Sequence, residues 1–172
     1  MTETTDSRPI IDVPIVINGK DTVVRVPPDE PLLTTLREAG HTSVRGTCGI
    51  GVCGTCTVLV DGRVTSSCIM LTAQARGRSV TTADGLRDRS GKLSRVQDAF
   101  VRANAFQCSF CTPGMTLAVH AALNDPQVRS DRSGIREYLA GNLCRCGSYP
   151  DVLAAVTELC DDAGDPTEGD SE

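Results

Sequence analysis

The spacing of apolar residues along this chain changes near residue 85. Before that point, short β-branched runs are separated by turn residues, a pattern typical of strands. The predicted strands are residues 13–17, 22–26, 57–60, 63–67 and 79–82. Asn18-Gly19 and Asp61-Gly62 each join two of these runs. Such dipeptides favour type I′ turns, which need positive φ at both central residues, so we predict two β-hairpins.

One helix is predicted between the two hairpins, over residues 30–39. Asp29 is a candidate N-cap, Pro31 lies in the first turn, and Gly40 follows the last turn. The leucines of this segment recur on one side of the helix, which would face the sheet. The first half is therefore predicted to have an α+β fold, in which one helix packs across a sheet.

After residue 85, apolar residues recur with helical spacing. We predict four helices: residues 92–104, a helix capped by Thr112 and stopped at Pro126, residues 131–139, and a helix from Pro150 onward. Four short helices can bury their apolar faces together as a bundle. The predicted organisation is a flexible leader (1–10), an α+β domain (11–84), a helical domain (85–160) and an acidic disordered tail (161–172).

Two small domains of this composition need additional stabilisation. Although 40% of the residues are hydrophobic, only 3% are aromatic and there is no Trp. Small cores are often supplemented by metals or disulfides, and nine cysteines are available here. The net charge of −5 originates in the acidic tail, so the body of the chain is nearly neutral and has no basic stripe for nucleic acid.

The cellular compartment bears on the role of the cysteines. The N-terminus shows no basic start, apolar run or twin-Arg pair, so no secretory signal is predicted. No stretch approaches the roughly 20 apolar residues that span a bilayer. We therefore expect a cytoplasmic protein, in which clustered thiols are metal ligands rather than disulfides. A secreted disulfide framework is the alternative, and the odd number of cysteines weighs against it.

The first cysteine motif lies between the predicted helix and the third strand. Cys48, Cys53 and Cys56 have the spacing C-x4-C-x2-C, and Cys68 follows the next two strands. This is the spacing of plant-type 2Fe–2S ferredoxins. Glycines between the cysteines allow the backbone to curl around inorganic sulfide and direct amides at it. A merely flexible loop is the alternative, whereas a nucleotide cradle is excluded because no Gly-Lys-Ser/Thr follows.

A second cysteine motif belongs to the helical half. Cys108 and Cys111 precede the helix that opens at Thr112, and Cys144 and Cys146 precede the last helix. The free amides and the positive dipole end of a helix start stabilise thiolate charge. Four thiolates could hold an iron–sulfur cluster or a zinc ion, although C-x-C is unusual as half of a zinc-ribbon site. The spacing favours a cluster without excluding zinc.

Together the two motifs resemble the iron–sulfur subunit of the molybdenum hydroxylases, the family of xanthine oxidase, carbon monoxide dehydrogenase and aldehyde oxidoreductase. The resemblance covers about residues 12–160 and includes V-I-N-G, C-T-V-L-V-D-G, Q-C-S-F-C-T-P-G and G-N-L-C-R-C. None of the departures from the family pattern removes a cysteine. These departures are Ser109 for the usual glycine, Gly147-Ser148 for the usual Thr-Gly, and Ile50, Val52 and Thr55 in the first loop.

The resemblance implies a β-grasp ferredoxin domain followed by a four-helix bundle, each with one 2Fe–2S cluster. The implied ligands are Cys48, Cys53, Cys56 and Cys68 for the first cluster and Cys108, Cys111, Cys144 and Cys146 for the second. It also implies a large partner subunit with a molybdopterin-type molybdenum cofactor, which Gln107 and Cys146 would approach, and a medium subunit with FAD. Gln107 could instead be a polar residue beside a helix start. The resemblance therefore implies that this chain is part of a hetero-oligomer with these two subunits. A dimer of heterotrimers is one possible arrangement of that oligomer.

The implied function is electron transfer from the molybdopterin site through both clusters toward the flavin. No catalytic residues are predicted on this chain, since it has no Ser–His–acid arrangement, carboxylate pair or dinucleotide fingerprint. A free-standing two-cluster ferredoxin and a zinc-stabilised interaction module are the alternatives. Cys160 is expected in the core, and His41 and His120 on the surface. Selection of the substrate would fall to the large subunit.

Overall fold

The computed structural model describes residues 9–129 and 132–162 of the chain. Most of the predicted leader and of the predicted acidic tail therefore lies outside the described residues. A sheet comes first and helices follow, which confirms the predicted α+β class. None of the described helices is long and apolar enough to cross a membrane.

The first half forms one five-stranded sheet. Its strands are β1 (Ile11–Ile17), β2 (Lys20–Val26), β3 (Thr57–Val60), β4 (Arg63–Ser66) and β5 (Ser79–Thr81). They lie in the order β2-β1-β5-β3-β4, with β5 parallel to β1 and antiparallel to β3. Both predicted hairpins are confirmed, because φ is 51° at Asn18 and 77° at Gly19, and 49° at Asp61 and 78° at Gly62.

The helix between the hairpins, α1, spans Leu32–Glu38 and packs across the sheet. The prediction that Asp29 is the N-cap of this helix was wrong, because Pro31 occupies the N-cap position and makes no side-chain capping bond. The Leu32 amide instead donates a hydrogen bond of 2.8 Å to the Met70 carbonyl, in the segment after β4. A tertiary contact thus satisfies an amide that a local cap would otherwise satisfy.

Strand β3 is buried on both faces. Val58 and Val60 pack with Leu36 of α1 on one side, whereas Leu59 packs with Leu117 of the helical half on the other. A strand covered on both faces is apolar throughout instead of alternating with polar residues. The sheet and the helical half therefore share a small core through β3.

The described residues of the second half form five α-helices. They are α2 (Arg95–Arg102), α3 (Thr112–Asn124), α4 (Pro126–Arg129), α5 (Arg132–Tyr138) and α6 (Tyr149–Asp162). Side chains from α2, α3, α5 and α6 meet in one core, whose larger members are Phe100, Met115, Ile135, Val152 and Leu159. The short helix α4 was not predicted.

The starts of α2 and α3 differ from the predicted ones for local reasons. Helix α2 begins three residues later than predicted, because Ser94 forms a capping box in which its hydroxyl accepts from the Gln97 amide at 3.3 Å. Thr112 is the first residue of α3 rather than its cap, since Cys111 occupies the N-cap position. This places a cysteine of the second motif at the start of the most buried helix.

Candidate metal centres

The first set of thiols is brought together by the loop between α1 and β3. The thiol of Cys48 contacts that of Cys53, and the thiol of Cys68 contacts that of Cys56. Cys68 lies just after β4, and the β3–β4 hairpin returns it to the loop. The structure thus joins all four cysteines of the first motif into one site made of two pairs.

Glycines give this loop its curl. Gly49, Gly51 and Gly54 have φ values of 69°, 75° and 67°, a region that side-chain-bearing residues rarely adopt. The curl turns backbone amides inward. Hydrogen bonds from the amide of Ile50 foremost, and from those of Cys53 and Val52, lower the pKa of the Cys48 thiol to about 6. The loop therefore stabilises negative charge on sulfur, as a cluster site requires.

Cys68 occupies a different environment within the same site. Burial foremost, and the neighbouring thiol of Cys56, raise its pKa to about 11. A metal would bind this residue as a thiolate and release its proton, so occupation of the site depends on pH.

The second set of thiols lies at the start of α3 and in the loop before α6. The sulfurs of Cys108 and Cys146 are 3.4 Å apart, and the thiol of Cys111 contacts that of Cys144. Three of these four cysteines line a cavity of about 440 Å³, together with Phe110. The second motif therefore also forms one site made of two pairs.

The loop before α6 is held by its own polar contacts. The Ser148 hydroxyl lies 3.2 Å from the Cys144 sulfur, and the Tyr149 hydroxyl accepts from the Cys144 amide at 3.0 Å. Burial by itself would raise the pKa of Cys144, but hydrogen bonds from Ser148, the Cys111 thiol and the Cys146 amide together outweigh it and lower this pKa to about 7. At Cys111, burial dominates and raises the pKa to about 12.

Both sites fit a dinuclear cluster. A 2Fe–2S cluster takes four thiolates, two on each iron, and each site offers four thiols in two pairs. Within residues 9–129 and 132–162, no three His, Cys, Asp or Glu side chains are arranged to hold a single metal ion. The fit to a cluster rests on the four-thiol donor sets and their pairing.

A backbone hydrogen bond links the two sites. The amide of Leu143, which precedes Cys144, donates to the carbonyl of Cys53 over 2.9 Å. Cys53 and Thr55 of the first loop also line the cavity of the second site. The two predicted cofactor sites are therefore neighbours, which their spacing in the sequence did not reveal.

Four further residues were assigned a role or a location from the sequence: Gln107, Cys146, Cys160 and His120. Gln107 is exposed next to Cys108, and Cys146 is partly exposed. Cys160 is half-buried against the helical core. His120, predicted at the surface, is partly buried, and its Nε2 lies 3.1 Å from Nδ2 of Asn124.

Sequence reasoning missed two residues that hold the sites together. Asn142 is 5% exposed, and its side-chain amide donates a hydrogen bond to the Gly54 carbonyl in the loop of the first site. The Arg45 guanidinium lies over the Phe110 ring, which belongs to the second site. Each lies within three residues of a cysteine motif, and Asn142 is also part of the family-like segment G-N-L-C-R-C.

Two protein-family models match the sequence and together cover most of it. One, described as a 2Fe-2S iron-sulfur cluster binding domain, matches residues 15–83. The other, described as a 2Fe-2S binding domain, matches residues 82–157. Each model contains one of the two thiol sites.

Curated relatives are similar over nearly their whole length. The xanthine dehydrogenase iron-sulfur-binding subunit of Escherichia coli O157:H7 is 42% identical over 149 residues, which cover 86% of this chain and 93% of that protein. The nicotine 6-hydroxylase small subunit of Paenarthrobacter nicotinovorans is 38% identical over 149 residues, which cover 86% of this chain and 88% of that protein.

Solved structures have the same fold. A chain of quinoline 2-oxidoreductase from Pseudomonas putida 86 matches with a TM-score of 0.80 and 40% identity, over 88% of this chain and 93% of that one. Aldehyde oxidoreductase from Desulfovibrio gigas matches with a TM-score of 0.82 and 29% identity, over 91% of this chain and 18% of its own. The chain belongs to the family of iron–sulfur subunits of the molybdenum hydroxylases, and it is an electron-transfer subunit of an oxidoreductase.

Proposed function

We propose that this chain conducts electrons between two partner subunits through one 2Fe–2S cluster in each thiol site. Each cluster, when bound, accepts and releases single electrons. The first would be held by Cys48, Cys53, Cys56 and Cys68, and the second by Cys108, Cys111, Cys144 and Cys146. The observation that carries the proposal is the hydrogen bond between Leu143 and Cys53, which joins two adjacent four-thiol sites.

The second site would face the molybdenum cofactor of a large subunit. Gln107 is exposed and Cys146 partly exposed at this site, and Cys108 beside them is exposed as well. An exposed amide can hydrogen-bond the polar edge of a pterin, and an accessible ligand sulfur shortens the distance to it. We assign Gln107 and Cys146 to the contact with molybdopterin.

The first site would face a flavin-carrying subunit. Ile50 and Val52, within the loop, are 70% and 60% exposed, and Ile69 next to Cys68 is 61% exposed. Ile69 lies against the loop, because a methyl group added to Gly51 would be 2.8 Å from its Cδ1 atom. Apolar side chains grouped around a redox site form a docking surface that excludes water on binding. We call Ile50, Val52 and Ile69 the apolar rim.

The proposed domain organisation agrees with one cluster site in each half of the chain. We propose a ferredoxin domain of the β-grasp type over residues 11–84 and a helical domain over residues 85–160, in which four of the helices form the bundle. The two family matches meet at residues 82 and 83, close to this boundary. We further propose a cytoplasmic assembly of this chain with a large molybdopterin-binding and a medium FAD-binding subunit, with a dimer of heterotrimers as one arrangement.

Purification of the native assembly tests the proposal. We expect this chain to co-purify with larger subunits that contain molybdenum and flavin, with about four irons and four labile sulfides per copy of the chain, as two 2Fe–2S clusters require. A monomer that transfers electrons without co-purifying chains would favour the free-standing ferredoxin. Zinc without labile sulfide would overturn the proposal. The relatives named above are described as subunits, which favours the assembly.

The apolar rim has its own test. Ile50→Ser and Val52→Ser should weaken association with the flavin-carrying subunit while both clusters remain bound, since neither side chain is a ligand. Val23→Ser is a matched control, because Val23 is 63% exposed on β2 in the other hairpin. Equal affinity of all three variants and the wild type, measured by co-purification at increasing salt, would contradict the assignment of this surface.

A further inference from the structure

Arg45 is anchored to the first site by its backbone. Its amide donates to the Thr55 carbonyl at 3.3 Å, and the Thr55 hydroxyl donates to the Arg45 carbonyl at 3.2 Å. The same hydroxyl lies 3.3 Å from the Cys53 sulfur. The position of the Arg45 backbone is therefore tied to the loop that carries the first set of thiols.

The side chain of Arg45 reaches the second site. Its guanidinium carbon lies 5.7 Å from the centre of the Phe110 ring, within the range of a cation–π contact. Phe110 is located between Cys108 and Cys111 and lines the cavity of the second thiol site. The positive charge thus lies against the loop that would hold the second cluster.

Among residues 9–129 and 132–162, no ion pair joins the Arg45 guanidinium to a carboxylate. The Nε atom of Arg45 is buried without a hydrogen-bond partner. Asp84 lines the same 310 Å³ cavity as Arg45 but forms no ion pair with it, and Arg87 adds a second cation to that cavity. The Asp84 carboxylate accepts the Ser43 hydroxyl at 2.6 Å. A partly buried cation without a partner is costly unless negative charge nearby offsets the cost.

We propose that Arg45 sets the redox balance between the two clusters by raising the reduction potential of the cluster held by Cys108, Cys111, Cys144 and Cys146. This inference rests on the proposed function. A cluster with four thiolate ligands is negatively charged and becomes more negative with each electron. A permanent positive charge beside it stabilises the reduced form more than the oxidised form. Electrons arriving from the molybdenum side would therefore enter the second cluster more readily.

An EPR-monitored redox titration of the purified complex tests this role. Arg45→Gln and Arg45→Met both remove the charge, and each should shift the midpoint potential of the second cluster downward, by more than that of the first. Arg45→Lys keeps the charge and should retain most of the wild-type potential. Arg25→Gln is the matched control, since Arg25 is an exposed cation on β2 that pairs with Asp12, and it should leave both potentials unchanged.

The outcomes separate charge from shape. The inference would be overturned if the potentials of Arg45→Gln or Arg45→Met were unchanged, or if Arg45→Lys shifted the potential of the second cluster as much as they do. The proposed function would still stand in either case, provided that both cluster signals were present. A larger shift at the first cluster would also overturn it. A wild-type complex without two 2Fe–2S signals would overturn the proposed function and this inference together.

Discussion

The side-chain amide of Asn142 donates a hydrogen bond to the backbone carbonyl of Gly54 over 2.9 Å. Asn142 lies two residues before Cys144, and Gly54 lies between Cys53 and Cys56. The same amide reaches the Thr57 hydroxyl at 3.2 Å, and the asparagine is almost fully buried. One side chain therefore connects the loops of both thiol sites, in addition to the backbone bond of Leu143.

Replacement of this asparagine should loosen the connection. Asn142→Ala removes one of three donors to the Gly54 carbonyl, which still accepts from the Thr57 amide and the Thr57 hydroxyl. The loss of this single bond should cost about 0.5–1.5 kcal/mol of unfolding free energy. We expect the thermal midpoint to fall by about 2–5 °C, measured through the visible absorbance of the bound clusters.

The spectroscopy of the same variant is equally informative. Magnetic coupling between the two reduced clusters should change, because only the Leu143–Cys53 bond then joins the two loops and their separation varies more. Asn124→Ala is the control, since this exposed amide on α3 contacts His120 rather than a cluster loop. An unchanged midpoint and unchanged coupling in Asn142→Ala would contradict the role of the amide.

The contact between α3 and the first loop leaves no room for a side chain at Gly114. A Cβ atom there would be 2.5 Å from the Gly54 carbonyl oxygen, a backbone atom that cannot rotate away. Gly114→Ala should therefore force the helix and the loop apart, at a cost of about 1–3 kcal/mol. Gly141→Ala is the matched control, since a Cβ at Gly141 meets nothing within 4 Å. Equal thermal midpoints for the two variants would contradict this close approach.

Removal of one ligand should affect one cluster only. Cys111→Ser is expected to abolish the EPR signal of the second cluster and to retain that of the first, and Cys56→Ser should do the opposite. The two sites do not share a cysteine, which is the physical reason for independence. Cys160→Ser, which changes a half-buried thiol on the helical core, should retain both signals. Loss of both signals in a folded Cys111→Ser variant would refute two independent sites.

Burial of His120 predicts a pH dependence of stability. Its pKa is lowered from the ordinary value of 6.5 because the surrounding helices shield it from water. Since the folded-state pKa lies below the unfolded-state pKa, protonation favours unfolding, and the contribution to stability is lost as pH falls below 6.5. His120→Gln should therefore show a smaller fall in thermal midpoint between about pH 7.5 and about pH 5.5 than the wild type. Superimposable pH profiles would contradict this interpretation.

Local sequence patterns correctly predicted the secondary-structure elements that depend on neighbouring residues only. Asn18-Gly19 and Asp61-Gly62 adopt the positive φ values that their hairpin turns require, and the strands on either side follow. The start of α1 was predicted wrongly, because Met70 satisfies its first amide from a distant part of the chain. A cap supplied by tertiary structure leaves no signal within the helix itself.

The grouping of the cysteines into two sites was also predicted from local patterns. Their spacing and the interleaved glycines reflect how a short loop must curl to present several thiols, so ordered motifs indicated two cluster sites. Spacing did not reveal that Leu143 binds Cys53, because those residues lie 90 positions apart and meet only when β3 packs against α3. The relation between the sites is a property of packing, not of either motif.

By itself, the sequence determined the α+β class, the two hairpins, the two cysteine motifs and the family, since each is expressed in local patterns along the chain. Only the tertiary structure decided that Asn142 joins the two loops and that the charge of Arg45 reaches Phe110. Those contacts depend on how two separately encoded halves pack together. A glycine on each side permits that packing, because Gly54 and Gly114 let two backbones approach more closely than any side chain would allow.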